Sequence, residues 1–469
     1  MHRQNARPSN ARPSNGQLSN GQLSNGRLNI AVIGTGIAGM SAAWLLNQAH
    51  HVTVYEQAAR PGGHSNTIDV ANANGTTPVD MGFIVYNPAT YPNLVALFRH
   101  LDVPTHASDM SFAVSIRGGA LEYAGTDLNG LFAQRRNLFN PRFWSMLRDL
   151  LRFYRQAPRD VHRCATDHQS LGDYLAAHGY NKAFIRDHLL PMAAAIWSTP
   201  PDRMTDYPAS AFLQFCDNHG LLRIRRRPQW RTVTGGSRAY VQRLTSPFAA
   251  RIRLGRGIRQ IWRQPNRVRL IDTQGLEAWY DHVVVAAHAD QALHILADPT
   301  DAETDLLGAI NYRPNDAVMH RDATLMPRRR RAWCSWNYIG VNAQGQDAMC
   351  ASYWMNQLQS LPAIDPVFVT LNPHRAPDPR SVIHQETFDH PQFDAAALKA
   401  QRNLWSLQGQ RRTWYCGAYF GAGFHEDGLQ AGLAVAEALG GVRRPWDLPD
   451  QSSRIHLPAP APQTRTMAL

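Results

Sequence analysis

The stretch Leu28 to Thr67, LNIAVIGTGIAGMSAAWLLNQAHHVTVYEQAARPGGHSNT, decides the fold of this 469-residue chain. Its apolar run Ile30 to Ile33 is strand-forming and stops at Gly34-Thr35-Gly36-Ile37-Ala38-Gly39, a G-x-G-x-x-G turn that opens a helix. Gly34 permits the tight turn, Gly36 lets a pyrophosphate approach the backbone without meeting a Cβ, and Gly39, helped by Ala42 and Ala43, lets the helix lie close on the strand. The free N–H groups at that helix N-terminus, Ile37 and Ala38 included, then face the phosphates with a partial positive charge. Val52 to Tyr55 make the second strand, which ends in Glu56, 22 positions after Gly34, followed by Gln57. A carboxylate at that place accepts both ribose hydroxyls of an adenosine and repels a 2′-phosphate, which disfavours NADP. Strand, helix and terminal acid together predict a Rossmann-like nucleotide-binding unit, with NAD and FAD both open.

Composition bounds the rest. A chain of this length holds two substantial domains, and a hydrophobic content of 44% suits a soluble globular protein. No apolar run reaches the roughly 20 residues of a transmembrane helix. The N-terminal region has positive residues but no apolar core of a secretory signal. Cys164, Cys216, Cys334, Cys350 and Cys416 are scattered without a C-x-x-C pair, so no disulfide framework and no metal site is expected, and a cytoplasmic location fits. The net charge of +12 is carried by arginine, since Lys182 and Lys399 are the only lysines. Such a balance favours anionic surfaces. No helix-turn-helix, RNA-recognition or zinc-finger pattern is present, and nucleic acid is not expected as a partner.

Along the chain, residues 6 to 26 are a polar pentapeptide repeat, read with 1–28 as a disordered leader. Residues 127 to 222 read as mainly helical. In the helix after Asn140-Pro141, Phe143, Leu147, Leu150, Leu151 and Tyr154 are expected on one face and Arg142, Arg148, Arg152 and Arg155 on the other. Such a helix either packs on a core with a solvated basic face or lies on a membrane surface. A glycine pair, Gly235-Gly236, precedes another helix. Val283 to Ala287 is a continuous apolar run suited to a buried parallel strand. Segments 333 to 338, 351 to 359 and 367 to 373 read as strands whose aromatic residues suit either core packing or a large apolar pocket.

The segment Arg60-Pro61-Gly62-Gly63 resembles the R-x-G-G motif of flavoproteins of the amine oxidase, phytoene desaturase and protoporphyrinogen oxidase superfamily, and separates FAD from NAD. The resemblance implies that Arg60 and the amides of Gly62 and Gly63 hold the FAD pyrophosphate; the usual arginine after the glycines is His64 here. Thr77 to Tyr86 resembles the segment whose glycine, here Gly82 between Met81 and Phe83, lies against the reactive edge of the isoalloxazine. By the same resemblance Ile258 pairs with adenine. Thr413 to Gly432 resembles the C-terminal FAD signature, in which Gly417 opens the loop and Gly428 and the Leu429 amide, beside Asp427, begin a helix that supports charge at the flavin N1/C2=O locus. The usual acid of that signature is Ala418.

The resemblance runs from Asn29 to about Gly440. It implies an α/β fold: a discontinuous Rossmann-like FAD domain (29–100, 230–300 and 408–445) and an α+β substrate domain with a mixed sheet and helical insertion (101–229 and 301–407), then a mobile tail (446–469). The wording SYWMNQLQSL and CGAYFGAGFHEDGL resembles a branch of predicted NAD/FAD-binding oxidoreductases found beside cyclopropane-fatty-acid synthases. That implies an FAD-dependent oxidoreductase acting on a hydrophobic, fatty-acyl substrate, a lipid methyltransferase partner, and peripheral contact with the inner face of an anionic membrane. His425 and Glu426 are catalytic candidates for proton transfer, with Tyr353 and Asn356 as pocket candidates. Lys182 and Lys399 fall in helical contexts, which argues against an amine oxidase with a lysine-held water. An amine oxidase with an altered site, and a non-catalytic FAD-stabilised partner of a lipid-modifying enzyme, are the alternatives.

Overall fold

A computed structural model describes residues 26–458 except 165–168, 198–199, 224–226, 344–345, 349 and 363–364. The pentapeptide repeats up to residue 25 and the end of the tail from 459 lie outside the described residues.

The apolar strands of the opening stretch sit at the centre of a five-stranded parallel sheet. Its order is Ile252–Arg253, His51–Tyr55, Asn29–Ile33, His282–Val285, Thr413–Tyr415. Asn29–Ile33 is flanked on both sides, and Ile30, Ala31 and Val32 are fully buried, which is why it reads as an unbroken apolar run. The helix Ile37–Leu46 is buried along its whole length and packs against the C-terminal helix His425–Gly440. Small residues set that distance: a Cβ on Gly432 would stand 2.2 Å from the Ala38 carbonyl oxygen. Gly441 (φ 64°) closes the C-terminal helix in the left-handed region.

A second, mixed sheet carries Val382–Gln392, Asn311–His320, Phe368–Leu371, Ala351–Trp354, Trp336–Ala343, Phe112–Ile116 and Leu121–Ala124 in that order, with Gln346–Ala348 paired to one side. Its neighbours are antiparallel except Trp336–Ala343 beside Phe112–Ile116. Helices between Pro141 and Asn218 cover one end of this sheet around Phe153, Tyr174, Phe184 and Phe212. Asp80 ties the halves together: buried at the end of Gly75–Asp80, it accepts bonds from Thr67 Oγ1, from Ser237 N and Oγ, and from Gln359 Nε2.

Two local expectations need correction. The segment 351–359 is a strand only to Trp354; Met355–Leu358 turns into a helix because Met355 and Leu358 are drawn into the core beneath the sheet. In the basic helix Pro141–Cys164 the buried apolar positions among the described residues are Phe143, Met146, Phe153, Ala157 and Val161, whereas Leu151 stands outward at 40% exposure between Arg148 and Arg155. The apolar stripe is too wide for one buried face, and its edge faces outward.

Candidate functional site

Between the two sheets lies one cavity of about 2060 Å³. One end is made by the nucleotide-binding stretch. A Cβ on Gly34 (φ 100°) would meet the Ala286 oxygen at 2.7 Å, and one on Gly39 the Gly34 oxygen at 2.0 Å. A Cβ on Gly36, by contrast, would meet nothing within 4 Å, and this glycine precedes a helix with no side-chain cap. The first-turn N–H groups of that helix are therefore available to an anion at the cavity wall formed by Gly36, Ile37 and Ala38. The Arg60 loop folds over this turn, the Gly63 Cβ position lying 3.0 Å from Gly36 Cα.

Glu56 is buried at the end of its strand. Its Oε2 accepts from Thr35 N at 2.9 Å and Thr35 Oγ1 at 2.5 Å, and Oε1 accepts from Ala58 N at 2.9 Å. One lone pair of Oε1 is left for a ribose hydroxyl. Gln57 and Ile258 line the wall beside it. Arg60 donates to the Gly63 oxygen at 2.9 Å and pairs with Glu386 of the second sheet at 2.9 Å, so the loop is clamped from across the cavity. Uncapped amides, a buried carboxylate and an arginine, each at the cavity wall, form a donor and acceptor set that fits FAD.

Gly82 serves the packing of the protein first: its Cβ would stand 2.1 Å from the His64 oxygen, and Phe83 N donates to that oxygen at 2.8 Å. His64 lies close to Phe388, His390 and His288, with ring centroids 5.0, 5.7 and 6.2 Å away. Burial, then the neighbouring imidazoles, holds His64 well below the usual histidine range, and burial lowers His390 to about 4. This wall is neutral near pH 7. Met81, Gly82, Phe83, Gly417 and Ala418 also line the cavity.

His425 stacks on Phe83 with centroids 3.8 Å apart and planes within 9°. Its Nε2 lies 2.7 Å from the Tyr240 hydroxyl, which is 2.5 Å from Ser65 Oγ. Burial lowers His425 to about 3, so the ring is neutral, and no partner among the described residues engages Nδ1. Tyr353 lines the cavity further along, edge-on to Trp336 at 4.8 Å.

Other expected site residues are elsewhere. Glu426 is fully buried outside the cavity lining and accepts from Asn93 N, Leu94 N, Asn93 Nδ2 and Gln430 Nε2, capping the helix Pro92–His100. Asn356 staples a loop through Pro362 O, Asp365 O and Val367 N. Asp427 accepts from Phe424 N at 2.7 Å and pairs with Arg454 at 2.6 Å, turned inward. Because the C-terminal helix begins at His425, Gly428 and Leu429 fall within its first turns, with the Gly428 N–H already given to the Phe424 oxygen. Gly39 and Gly62 act through backbone packing rather than on the lining. Sequence reading missed Tyr240, Glu386, His288 and His390, which become neighbours of the site only through long-range packing. It also missed the apolar chamber lined by Leu147, Leu150, Met192 and Ile196, with Phe215 and Trp197 joining it to Phe424 beside His425.

Residues 37–322 match the model of the flavin containing amine oxidoreductase family. Among solved structures the chain is similar to a CLA-producing fatty acid isomerase from P. acnes (TM-score 0.62, 16% identity, 88% of this chain and 98% of that one). It is also similar to cyclohexylamine oxidase from Brevibacterium oxydans IH-35A (TM-score 0.63, 16% identity, 88% and 100%). A third is putrescine oxidase bound to putrescine (TM-score 0.59, 12% identity, 88% and 99%). No curated protein sequence matches the chain.

Proposed function

From the membership of this chain in the flavin-containing amine oxidoreductase family, as an FAD-dependent oxidoreductase, we propose that its substrate is a hydrophobic, fatty-acyl type of molecule, dehydrogenated or isomerised at a carbon–carbon bond. The observation that carries this reading is the continuity of the cofactor end with the apolar far chamber in one cavity of about 2060 Å³. Ordinary small-ligand pockets reach about 1,000 Å³. Beyond a dinucleotide, space is left for a long apolar chain between Leu147, Leu150, Met192 and Ile196. FAD, when bound, supplies the hydride acceptor. The protein orients the chain against aromatic walls, excludes water and, in the tautomer whose Nε2–H is donated to the Tyr240 hydroxyl, offers Nδ1 of a neutral His425 to accept a proton from the substrate. Neither lysine of the chain lines the cavity, which weighs against amine oxidation through a lysine-held water. The similarity to a fatty acid isomerase agrees with an acyl substrate, and the similarity to two amine oxidases makes amines the second class to test.

The test is anaerobic titration of the yellow holoprotein. Unsaturated fatty acids or their esters are expected to bleach the flavin band or to emerge isomerised. Bleaching by amines, with acyl substrates inert by both readouts, overturns the reading.

A further inference from the structure

Ten large apolar side chains are strongly exposed among the described residues, and five fall between positions 128 and 151: Leu128 (75%), Leu138 (41%), Phe139 (86%), Trp144 (49%) and Leu151 (40%). They lie on three consecutive elements, the short helix Leu128–Leu131, the turn Arg135–Phe139 and the helix Pro141–Cys164. Trp144 Nε1 donates to the Leu138 oxygen at 2.8 Å, and Leu128, Trp144 and Leu151 line the far end of the cavity, so the patch is its rim. The other exposed tryptophans, Trp262 and Trp279, are on the small sheet Ile258–Arg263, Val268–Asp272, Glu277–Tyr280, beneath the guanidinium groups of Arg269 and Arg267. No guanidinium covers Trp144 among the described residues.

Arginine dominates the charge around the rim. In the helix Pro141–Cys164 the positions Trp144, Arg148, Leu151, Arg155 and Arg159 recur at spacings of four, three, four and four, which places them on one stripe. Arg148 is 75% exposed and reaches only Asp149, at 3.5 Å. Among the described residues neither Arg155 nor Arg159 has a carboxylate partner. Asp127, the acid beside Leu128, is spent capping Gly130 N. Exposed apolar side chains set among solvated guanidinium groups match the boundary of an anionic bilayer, with rings and leucines at the acyl level and arginines among the phosphates. A second copy on a two-fold axis would set this arginine stripe against itself.

We propose that the segment 128–159 is a docking rim that seats the cavity mouth on an anionic lipid surface. Docking needs no substrate; the passage of a lipid substrate from the bilayer into the cavity rests on the acyl reading above.

The test uses the full FAD-loaded chain and vesicles without substrate, of phosphatidylcholine alone or with about a third phosphatidylglycerol. The protein is expected to float with the anionic vesicles and to be released by salt. Phe139→Glu is expected to weaken binding about tenfold, and the pair Arg155→Glu and Arg159→Glu by about fivefold per charge. None of the three positions lines the cavity, so an unchanged flavin spectrum verifies folding. Absence of flotation by the unaltered protein overturns the proposal, as does equal flotation of the variants. A single-stranded oligonucleotide bound through the same arginines in place of vesicles assigns the stripe to nucleic acid. A dimer abolished by Phe139→Glu, without vesicle binding, assigns the rim to a second copy. Either result overturns the proposal and leaves the acyl reading to its own flavin titration.

Discussion

His425 illustrates how a side chain gains a chemical assignment from its surroundings rather than from its type. Parallel to Phe83 and held at Nε2 by Tyr240, it has one ring nitrogen left and rests uncharged near neutrality, since burial takes its pKa to about 3. Between about 3 and the ordinary 6.5 the unfolded chain binds a proton that the folded one refuses. This group's contribution to stability therefore rises with pH across that window and is complete above it. The rate of flavin reduction is expected to show no inflection from His425 between about pH 5 and 8. His425→Phe, which keeps the stack, is expected to slow substrate-dependent reduction about a hundredfold with flavin still bound. A rate within a few fold of the unaltered protein would leave the ring with packing alone. His425 was legible as a candidate because it stands beside a glycine-rich loop; its hydrogen bond to Tyr240 was not, because Tyr240 and Ser65 are distant in the chain.

At the scale of elements, the tripeptide His425-Glu426-Asp427 is split by helix geometry. Successive residues point about 100° apart, so the first faces the cavity while the next two turn to the helix Pro92–His100 and to Arg454. Glu426 gives its carboxylate to two first-turn amides, and burial raises its pKa. Glu426→Ala is expected to cost about 1–3 kcal/mol by leaving those amides unpaired, seen as a lower unfolding midpoint with an unchanged rate of flavin reduction. Loss of reduction without loss of stability would return Glu426 to the chemistry. The basic helix 141–164 shows the same limit of periodicity. Its 3.6-residue pattern identified the helix, but which edge of a wide apolar stripe is buried depends on the area of the neighbour, and Leu151 stays outside.

At the scale of the whole molecule, the FAD cradle and the far chamber are one space held between two sheets, with Arg60 and Glu386 joined across it. FAD held in the cradle would bind the folded chain alone, and its binding is expected to raise the unfolding midpoint with concentration, by about 2.7 kcal/mol at a hundredfold excess over Kd. Gly36→Val should fold, because its backbone is extended at φ −62° and ψ 172° and a Cβ meets nothing within 4 Å, yet remain colourless and lose the FAD-dependent rise. A yellow variant with an intact rise would show that the phosphates are held elsewhere.

The chain alone determined the Rossmann-like unit and the glycine turns, because these rest on local rules: strand period, missing Cβ atoms and an acid at a fixed distance from a turn; FAD rather than NAD followed from the resemblance of Arg60 to Gly63 and of Thr413 to Gly432 to flavoprotein motifs. Even there, what Gly82 touches was decided by tertiary packing, which brings the His64 carbonyl to 2.1 Å from the place of its absent Cβ. The clamp from Glu386, the neutral histidine wall, the removal of Asn356, Glu426 and Asp427 from the cavity, and the exposed rim at Phe139 and Trp144 depended on which distant segments meet. Burial and pairing are properties of those meetings, and no spacing along the chain encodes them.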